Sequence, residues 1–393
     1  MSRKKDNSCC VKKTSIGGQA LMEGIMMRGP ETTAMAVRNT QGEIVLEKFP
    51  TETKKRAKFF KLPIIRGLFN YIDSMTIGTK CLMRSAEISG LEEAEEELRR
   101  EKEAKKAAKA AKKAEKKGNA PQNDEQTTAE STNTATTDAA ACETEPNEEN
   151  SSERSTDKKE SSATTAIVMT LGTILGIALS IGLFFVLPTF IFSGLVSFIP
   201  ALKPDNTAAA SLIQSAIEGV IKLILIVGYM ALMILLKDIR RTFQFHGAEH
   251  KTIFCYEAGL ELTVENVRKQ RRFHPRCGTS FLILMIIVSI FIGFFITPFY
   301  VLVLGEETIN DLGPALMNVI RALTKILLIP LIVGIGYELI KIAGRHDNWF
   351  TRIISAPGVW LQHITVLEPD DSMIECAIVA MKEVIPENDS DKW

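Results

Sequence analysis

The sequence predicts a mainly α-helical, polytopic membrane protein, with about four transmembrane helices, a small α+β N-terminal unit on the cytoplasmic side and a disordered linker joining the two. Three observations predict it. Ile, Leu, Val, Phe and Met are crowded into blocks at 166–200, 212–236, 280–304 and 315–343, and a bilayer core asks for ~20 consecutive apolar residues. Residues 91–163 hold almost no large apolar side chains and cannot bury a core. The basic residues next to the apolar blocks fall into three regions that topology puts on one side. The zero formal charge of the 393-residue chain is an average over these unlike blocks and says little about partners.

The first unit covers 14–90. Gly17, Gly18 and Gly24 punctuate its start, and Arg28-Gly29-Pro30 reads as a turn. Thr33 to Val37 and Glu43 to Phe49 read as two short strands joined through Asn39-Thr40-Gln41-Gly42. From 63 to 90, Ile65, Leu68, Phe69, Ile72, Met75, Ile77 and Leu82 recur at helical spacing. That stretch reads as an amphipathic helix interrupted near Gly78, able to lie on a bilayer surface. Residues 1–13 are charged and lack the apolar core of about 7–15 residues that a secretory leader needs.

A linker follows at 91–165. Its first part, 91–117, is almost entirely Glu, Lys, Arg and Ala. These are helix formers without an apolar stripe, so a solvated helical extension is expected, its Lys-rich end able to touch anionic lipid. From 118 to 162, Thr, Ser, Asn, Glu and Asp dominate, and disorder is expected.

The membrane domain is predicted over 166–345. Its first span covers 166–187 and is interrupted by Pro188, leaving an apolar continuation to 199 too short to cross again. The others cover 212–236, 281–304 and 315–342. The 188–211 loop has one lysine and the 305–314 loop has no basic residue, whereas the 237–278 loop carries nine. With a basic N-terminus and Lys341, Arg345 and Arg352 in the tail, both termini and the 237–278 loop are expected in the cytoplasm, with the chain in a bacterial cytoplasmic membrane. Residues 346–393 read as an amphipathic cytoplasmic segment. The expected partners are the lipid bilayer and a membrane protein or second copy of the chain. Nucleic acid is not expected.

The seven cysteines are scattered and form no CxxC pair, which argues against a disulfide framework and a four-cysteine zinc site. The five histidines are His246, His250, His274, His346 and His363. His246-Gly247-Ala248-Glu249-His250 is an H-x-x-E-H pattern, which on a helix gathers two imidazoles and a carboxylate on one face. Two imidazole nitrogens can hold Zn²⁺, and Glu249 can serve as general base. The predicted topology brings His274 and Cys277, then Glu338 and His346, to the same membrane face. His246, His250, His274 and Cys277 are therefore the candidate metal ligands, Glu249 the candidate catalytic residue, and Zn²⁺ the expected cofactor. If the second span ran on as a straight helix, His246 would stand ~15 Å beyond residue 236, so a bend around Phe243–Gly247 is expected, or a site raised above the membrane. The bland alternative is that these residues bond loop backbone or neighbouring arginines such as Arg240 and Arg241.

Other polar residues enter as secondary candidates. Gln19, Glu23 and Arg28 sit in the glycine-rich segment 15–30, which lacks the Gly-Lys-Ser/Thr of a phosphate loop and otherwise reads as a tightly turned segment docking on the spans. Arg276 lies beside Cys277. Glu218 and Lys222 have the spacing of a helical ion pair, with Arg321 and Lys325 at the outer end of the fourth span. His363 reads as part of an interfacial stretch with Trp349 and Trp360.

Residues 17–30 (GGQALMEGIMMRGP), 245–251 (FHGAEHK) and 274–281 (HPRCGTSF) together resemble the YqhQ-like family of bacterial and plastid membrane proteins. The resemblance covers 14–90 and 166–385. It implies a membrane protein with a metal site at His246, Glu249, His250, His274 and Cys277, as in a family catalogued as metal-dependent enzymes, and it names no reaction. Three functions follow as expectations: a zinc-dependent hydrolase acting at the cytoplasmic face on a lipid-linked or membrane-protein substrate; a non-catalytic membrane scaffold or regulator; and a transporter.

Overall fold

The structure is a computed structural model that describes residues 12–51, 58–90, 171–172, 174–199, 208–346 and 348–392. The expected linker at 91–165 lies outside the described residues. Two compact units divide the chain: Met1–Glu92 with Ile181–Trp393, and Glu93–Ser180. In the second unit the described residues, 171–172 and 174–180, are helical.

In the first unit, β1 (Gly17–Leu21), β2 (Gly24–Arg28), β3 (Thr32–Arg38) and β4 (Ile44–Pro50) form an antiparallel meander in chain order. The pairing Ile25↔Ala36, Met26↔Met35 and Met27↔Ala34 makes side chains alternate between two faces. One face carries Ile16, Ile25, Met27, Ala34 and Ala36. The other carries Leu21, Met26, Met35 and Val37.

The hairpin expected around 39–42 is the β3–β4 turn, where Asn39 Oδ1 accepts from the amides of Gln41 at 3.0 Å and Glu43 at 2.8 Å. The glycine-rich segment, expected as a tightly turned segment docking on the spans, is a second hairpin, β1–β2. Its two-residue loop puts Glu23 at φ 50. Gly24 lies so close under β3 that a Cβ there would overlap the carbonyl oxygen of Ala36. Here Gly serves close strand approach as well as turning.

Helix α1 (Ile65–Ile88) covers the Leu21–Val37 face with Cys81, Ile77, Leu82 and Ile88. It runs unbroken through Gly78, correcting the expected interruption. A Cβ at Gly78 would strike Gln19 Oε1, so that glycine serves packing against the sheet.

Long apolar helices follow. A helix spans Ile174–Phe198, with a π-helical turn at Gly182–Val186 leading into α2 (Leu187–Phe198). Pro188 was expected to end the span. Instead the helix widens just before it, which accommodates a residue without an N–H to donate. Helix α3 is Ala208–Met233. After a turn come α4 (Lys237–Glu257), α5 (Val264–Arg268) and α6 (Gly278–Leu304).

The expected single span at 315–342 is two helices, α7 (Glu306–Leu327) and α8 (Ile329–Arg345), whose apolar parts meet at 46°. Pro330 cannot supply the amide that would continue the helix across the joint. Three helices are long and apolar enough to cross a membrane, or four if the bent pair counts as one.

Helix α9 (Trp349–Thr365) starts with a capping box between Asn348 and Thr351. Helix α10 (Asp371–Lys382) is capped by Asp370. The tail was expected to be amphipathic, and α10 has an apolar face to bury. Met373, Ile374, Cys376, Ala377, Ala380 and Met381 of α10 enter the main core, against the sheet and against Phe245, Ala248 and Ile253 of α4. Ala34 and Ala36 face Ala377 and Ala380 in this layer, and small side chains let helix and sheet approach closely.

Candidate metal centre

The centre is built where α4 meets the start of α6. The chain turns between α3 and α4, and Leu236 is extended (φ −80, ψ 124). The helical break is therefore at 234–236 rather than at Phe243–Gly247 as expected, and α4 starts as a new helix. Gly247 brings α4 close to the strand-like stretch after α9: a Cβ there would overlap the carbonyl oxygen of Leu367, while the Leu367 amide donates to Phe243 O at 2.9 Å.

His246 and His250, one helical turn apart, place their rings 4.5 Å from each other. Each has its Nδ1 on a backbone carbonyl: His246 on Thr365 O at 3.0 Å and His250 on Arg272 O at 2.5 Å. A carbonyl only accepts, so both Nδ1 atoms carry hydrogen and both Nε2 atoms face inward. His246 Nε2 lies 3.1 Å from Cys277 Sγ. His250 Nε2 is buried and has no hydrogen-bond partner. One ligand atom from each of His246, His250 and Cys277 lies within 4.8 Å of the others.

Cys277 is the N-cap of α6, its Sγ accepting from the Thr279 amide at 3.4 Å. Burial alone would raise its thiol, but the charges of His246 and His250 and the His246 hydrogen bond hold it well below the ordinary value. The positive end of a long helix dipole acts in the same sense. Burial opposes charge on His246, yet Cys277 beside it lifts that imidazole to about 9.

Glu249 is buried on the sheet side of the cluster. Its carboxylate accepts from the Gly18 backbone amide, and a Cβ at Gly18 would stand 2.9 Å from Glu249 Cγ and Cδ. Burial raises its pKa, with His246 and His250 pulling the other way. The glycine-rich hairpin thus serves as the floor under Glu249.

A model of the protein family described as a protein of unknown function, DUF1385, matches residues 62–387. The chain belongs to this family. Over 375 residues it is 30% identical to the uncharacterised protein YqhQ of Bacillus subtilis (strain 168), covering 94% of this chain and 92% of that relative. No solved structure matches it.

In this DUF1385 chain the remaining sequence-predicted residues are placed around the cluster or away from it. His274 stands behind His250, ring centroids 5.6 Å apart, but its nitrogens are engaged elsewhere. Its Nδ1 accepts from the Arg276 amide at 3.3 Å, and its Nε2 lies 3.7 Å from Glu257 Oε2. Burial pushes it down to about 4, so it is neutral.

Arg276 is paired with Glu257 and donates to Thr14 O at 3.1 Å. Glu23 is held by both arms of Arg241, which takes Arg241 away from Glu249. Glu338 accepts from Arg66 at 2.7 and 2.5 Å, tying α8 to α1. His346 is exposed and bonds Ile342 O of its own helix at 3.3 Å. Gln19 packs on Gly78, and Arg28 reaches Ser74 Oγ at 3.4 Å. His363 stacks on Phe273 at 4.4 Å.

Sequence reasoning missed Glu257 and Gln362. Glu257 follows His246 and His250 on one face of α4, at i+11 and i+7, a spacing that could have flagged it. Fully buried Gln362 accepts from the His274 amide at 2.8 Å and donates to its carbonyl at 2.7 Å, fixing the segment that carries Cys277. No local signal marks it.

Proposed function

We propose that this protein is a membrane-embedded metalloprotein in which His246, His250 and Cys277 hold Zn²⁺ at the cytoplasmic face, with Glu249 as general base of a hydrolysis on a lipid-linked or membrane-protein substrate. The apolar helices, their exposed Phe291, Phe295, Phe299 and Leu302, and the basic 237–278 segment support the placement and orientation.

One observation carries the metal. Both imidazoles are oriented by Nδ1–H bonds to backbone carbonyls, which is the support that metal-ligating histidines need, and the inward nitrogen of His250 is buried without a partner. Such a nitrogen costs about 1–3 kcal/mol while unsatisfied. Once His246 gives up its Nε2 proton, two imidazole nitrogens and a thiolate suit Zn²⁺, which when bound supplies Lewis acidity at the reacting centre. Glu249 holds a proton acceptor beside that centre, Gly18 orients it, and the sheet keeps bulk water off its inner side.

A second reading has its own support. Glu249, His250 and Cys277 are all buried, and a closed four-ligand zinc site is the mark of a structural role. Glu249 would then be the fourth ligand of a scaffold or regulator. Zinc analysis of protein purified without chelator tests both. One zinc per chain, lost in His250→Ala, is expected. Wild type that neither carries nor binds zinc ends the metal reading. Retention of zinc by Glu249→Gln favours the enzyme, and its loss favours the structural site.

A further inference from the structure

Helix α9 is amphipathic in the reverse of the sense that water dictates. Thr351, Ser355, Gly358, Gln362 and Thr365 are buried and recur at helical spacing, so they form one stripe. Leu361 is the one large apolar side chain that α9 buries with them. The outward stripe has the same spacing and the opposite chemistry. Trp349 is 74% exposed, Ile353 61% and Trp360 59%, with exposed Ala356 in the same row. On a surface facing water, a helix turns its aromatic stripe inward and its hydroxyls and amides outward.

The inner chemistry is explained by what it meets. Gly358 lies so close on α6 that a Cβ there would overlap Ser280. Gln362 Nε2 donates to Ser280 Oγ at 3.2 Å as well as to the His274 carbonyl. The Thr365 carbonyl accepts the Nδ1 hydrogen of His246. Leu361 joins Ile226 of α3 and Ile283 of α6. Helix α9 is therefore seated on the first turns of α6, where that apolar helix begins and where the metal centre is built.

The outer chemistry has no such partner within the chain, and its surroundings say what covers it. The helices beneath α9 are themselves apolar on their outer sides, with Tyr229 and Leu232 of α3 and Ile287 and Phe291 of α6 exposed. A medium that accepts those faces accepts the face of α9. At 17 residues α9 is shorter than the ~20 needed to cross a hydrocarbon core. Its two indoles each join an apolar body to one N–H donor, which suits the boundary between acyl chains and headgroups.

We propose that α9 is an interfacial helix whose Trp349, Ile353 and Trp360 face docks into the headgroup layer of the bilayer, and that this docking sets the depth of the metal centre. Gln362 and Thr365, on the inner side of the same helix, hold the segment that carries Cys277 and the ring of His246. A lipid reaching the centre from this side presents its headgroup rather than its acyl chain. The proposal rests on the membrane setting of the reading above and is independent of its zinc.

Tryptophan quenching tests it on the full chain. Trp393→Phe leaves Trp349 and Trp360 as the two tryptophans. This variant is placed in phosphatidylcholine vesicles brominated either just below the headgroup or near the chain ends, and flotation shows that it has entered them. Emission should fall about twofold with the shallow bromines, less with the deep ones, and least with iodide in the water on both sides. Adding Trp349→Phe or Trp360→Phe leaves one reporter in each case, and either variant that folds should keep this order. Strongest quenching by iodide would put the face in water, and strongest quenching by deep bromines would put it in the hydrocarbon core. Quenching by neither bromine would mean that a second copy or another protein covers it. Each of these results overturns the proposal while leaving the membrane reading intact. A chain that does not float with the vesicles overturns both, whereas a chain that floats and shows the expected order without binding zinc removes the metal reading alone.

Discussion

Replacing Glu257 with Gln should loosen the segment that carries Cys277, and the cost can be worked from the structure. The carboxylate accepts from the Thr14 amide at 3.0 Å and pairs with Arg276 and His274. Burial alone would raise its pKa, but the His274 hydrogen bond and the Arg276 charge bring it from 4.5 to about 2. At about 1.4 kcal/mol per tenfold change in proton affinity, this corresponds to roughly 3 kcal/mol of stability.

Because the folded-state value is depressed, that stability is present above pH 4.5 and is lost as pH falls towards about 2. Glu257→Gln keeps the shape and removes the charge, leaving the Arg276 guanidinium without its buried partner. Urea unfolding of wild type and variant from pH 7 to pH 2 should show a difference of roughly 3 kcal/mol at neutral pH that shrinks towards zero at the acid end. The reasoning is refuted by a difference that does not change with pH, or by no difference at all.

Gly247→Ala should destabilise the fold by about 1–3 kcal/mol, seen as a lower melting temperature, because the new methyl overlaps Leu367 O; an unchanged melting temperature would show that α4 can shift freely. Glu249→Gln should bind zinc as wild type does and abolish whatever cellular phenotype the wild type complements, under the hydrolase reading; a variant that still complements would contradict it. Zinc affinity should rise with pH, about tenfold per pH unit while His246 still carries the proton that the metal must displace, and level off near the His246 value of about 9; a flat titration curve would remove His246 from the ligand set. Single cysteines at Asp205 and Asn310 of a cysteine-free variant should label from outside intact cells and one at Asn266 should not; external labelling at Asn266 would reverse the orientation.

The sequence made some parts of this structure legible and hid others, for identifiable reasons. The β3–β4 hairpin was readable because Asn39 to Gly42 is local turn chemistry between β-prone runs. The β1–β2 hairpin was not, because its glycines and methionines have low strand propensity, and it forms by tertiary packing under α4 and over α1. The apolar helices were readable from hydropathy alone, yet the break at Leu328 was hidden inside an apolar run whose only mark is Pro330. At the centre, the i, i+4 spacing of His246 and His250 survives translation into geometry. The part played by His274 could not be foreseen, because whether an imidazole points at a cluster or at a carboxylate such as Glu257 depends on the backbone that Gln362 fixes from far away in the chain. His346 showed the limit of inference from topology: a shared face of the molecule is not a shared site.

The seating of α10 in the sheet has a consequence for how the chain matures on the ribosome. Met27, Ala34 and Ala36 are made early, but the helix that covers them is among the last segments to emerge, and the Thr14–Asp391 hydrogen bond joins residues 377 positions apart. Contacts of such high sequence separation form late and slowly. Through most of synthesis the strands hold an uncovered apolar face and an open edge, a state prone to aggregation. A nascent chain stopped before Asp371 is stranded there, which makes the twelve residues of α10 and the tail after it the step that commits the whole molecule to its finished form.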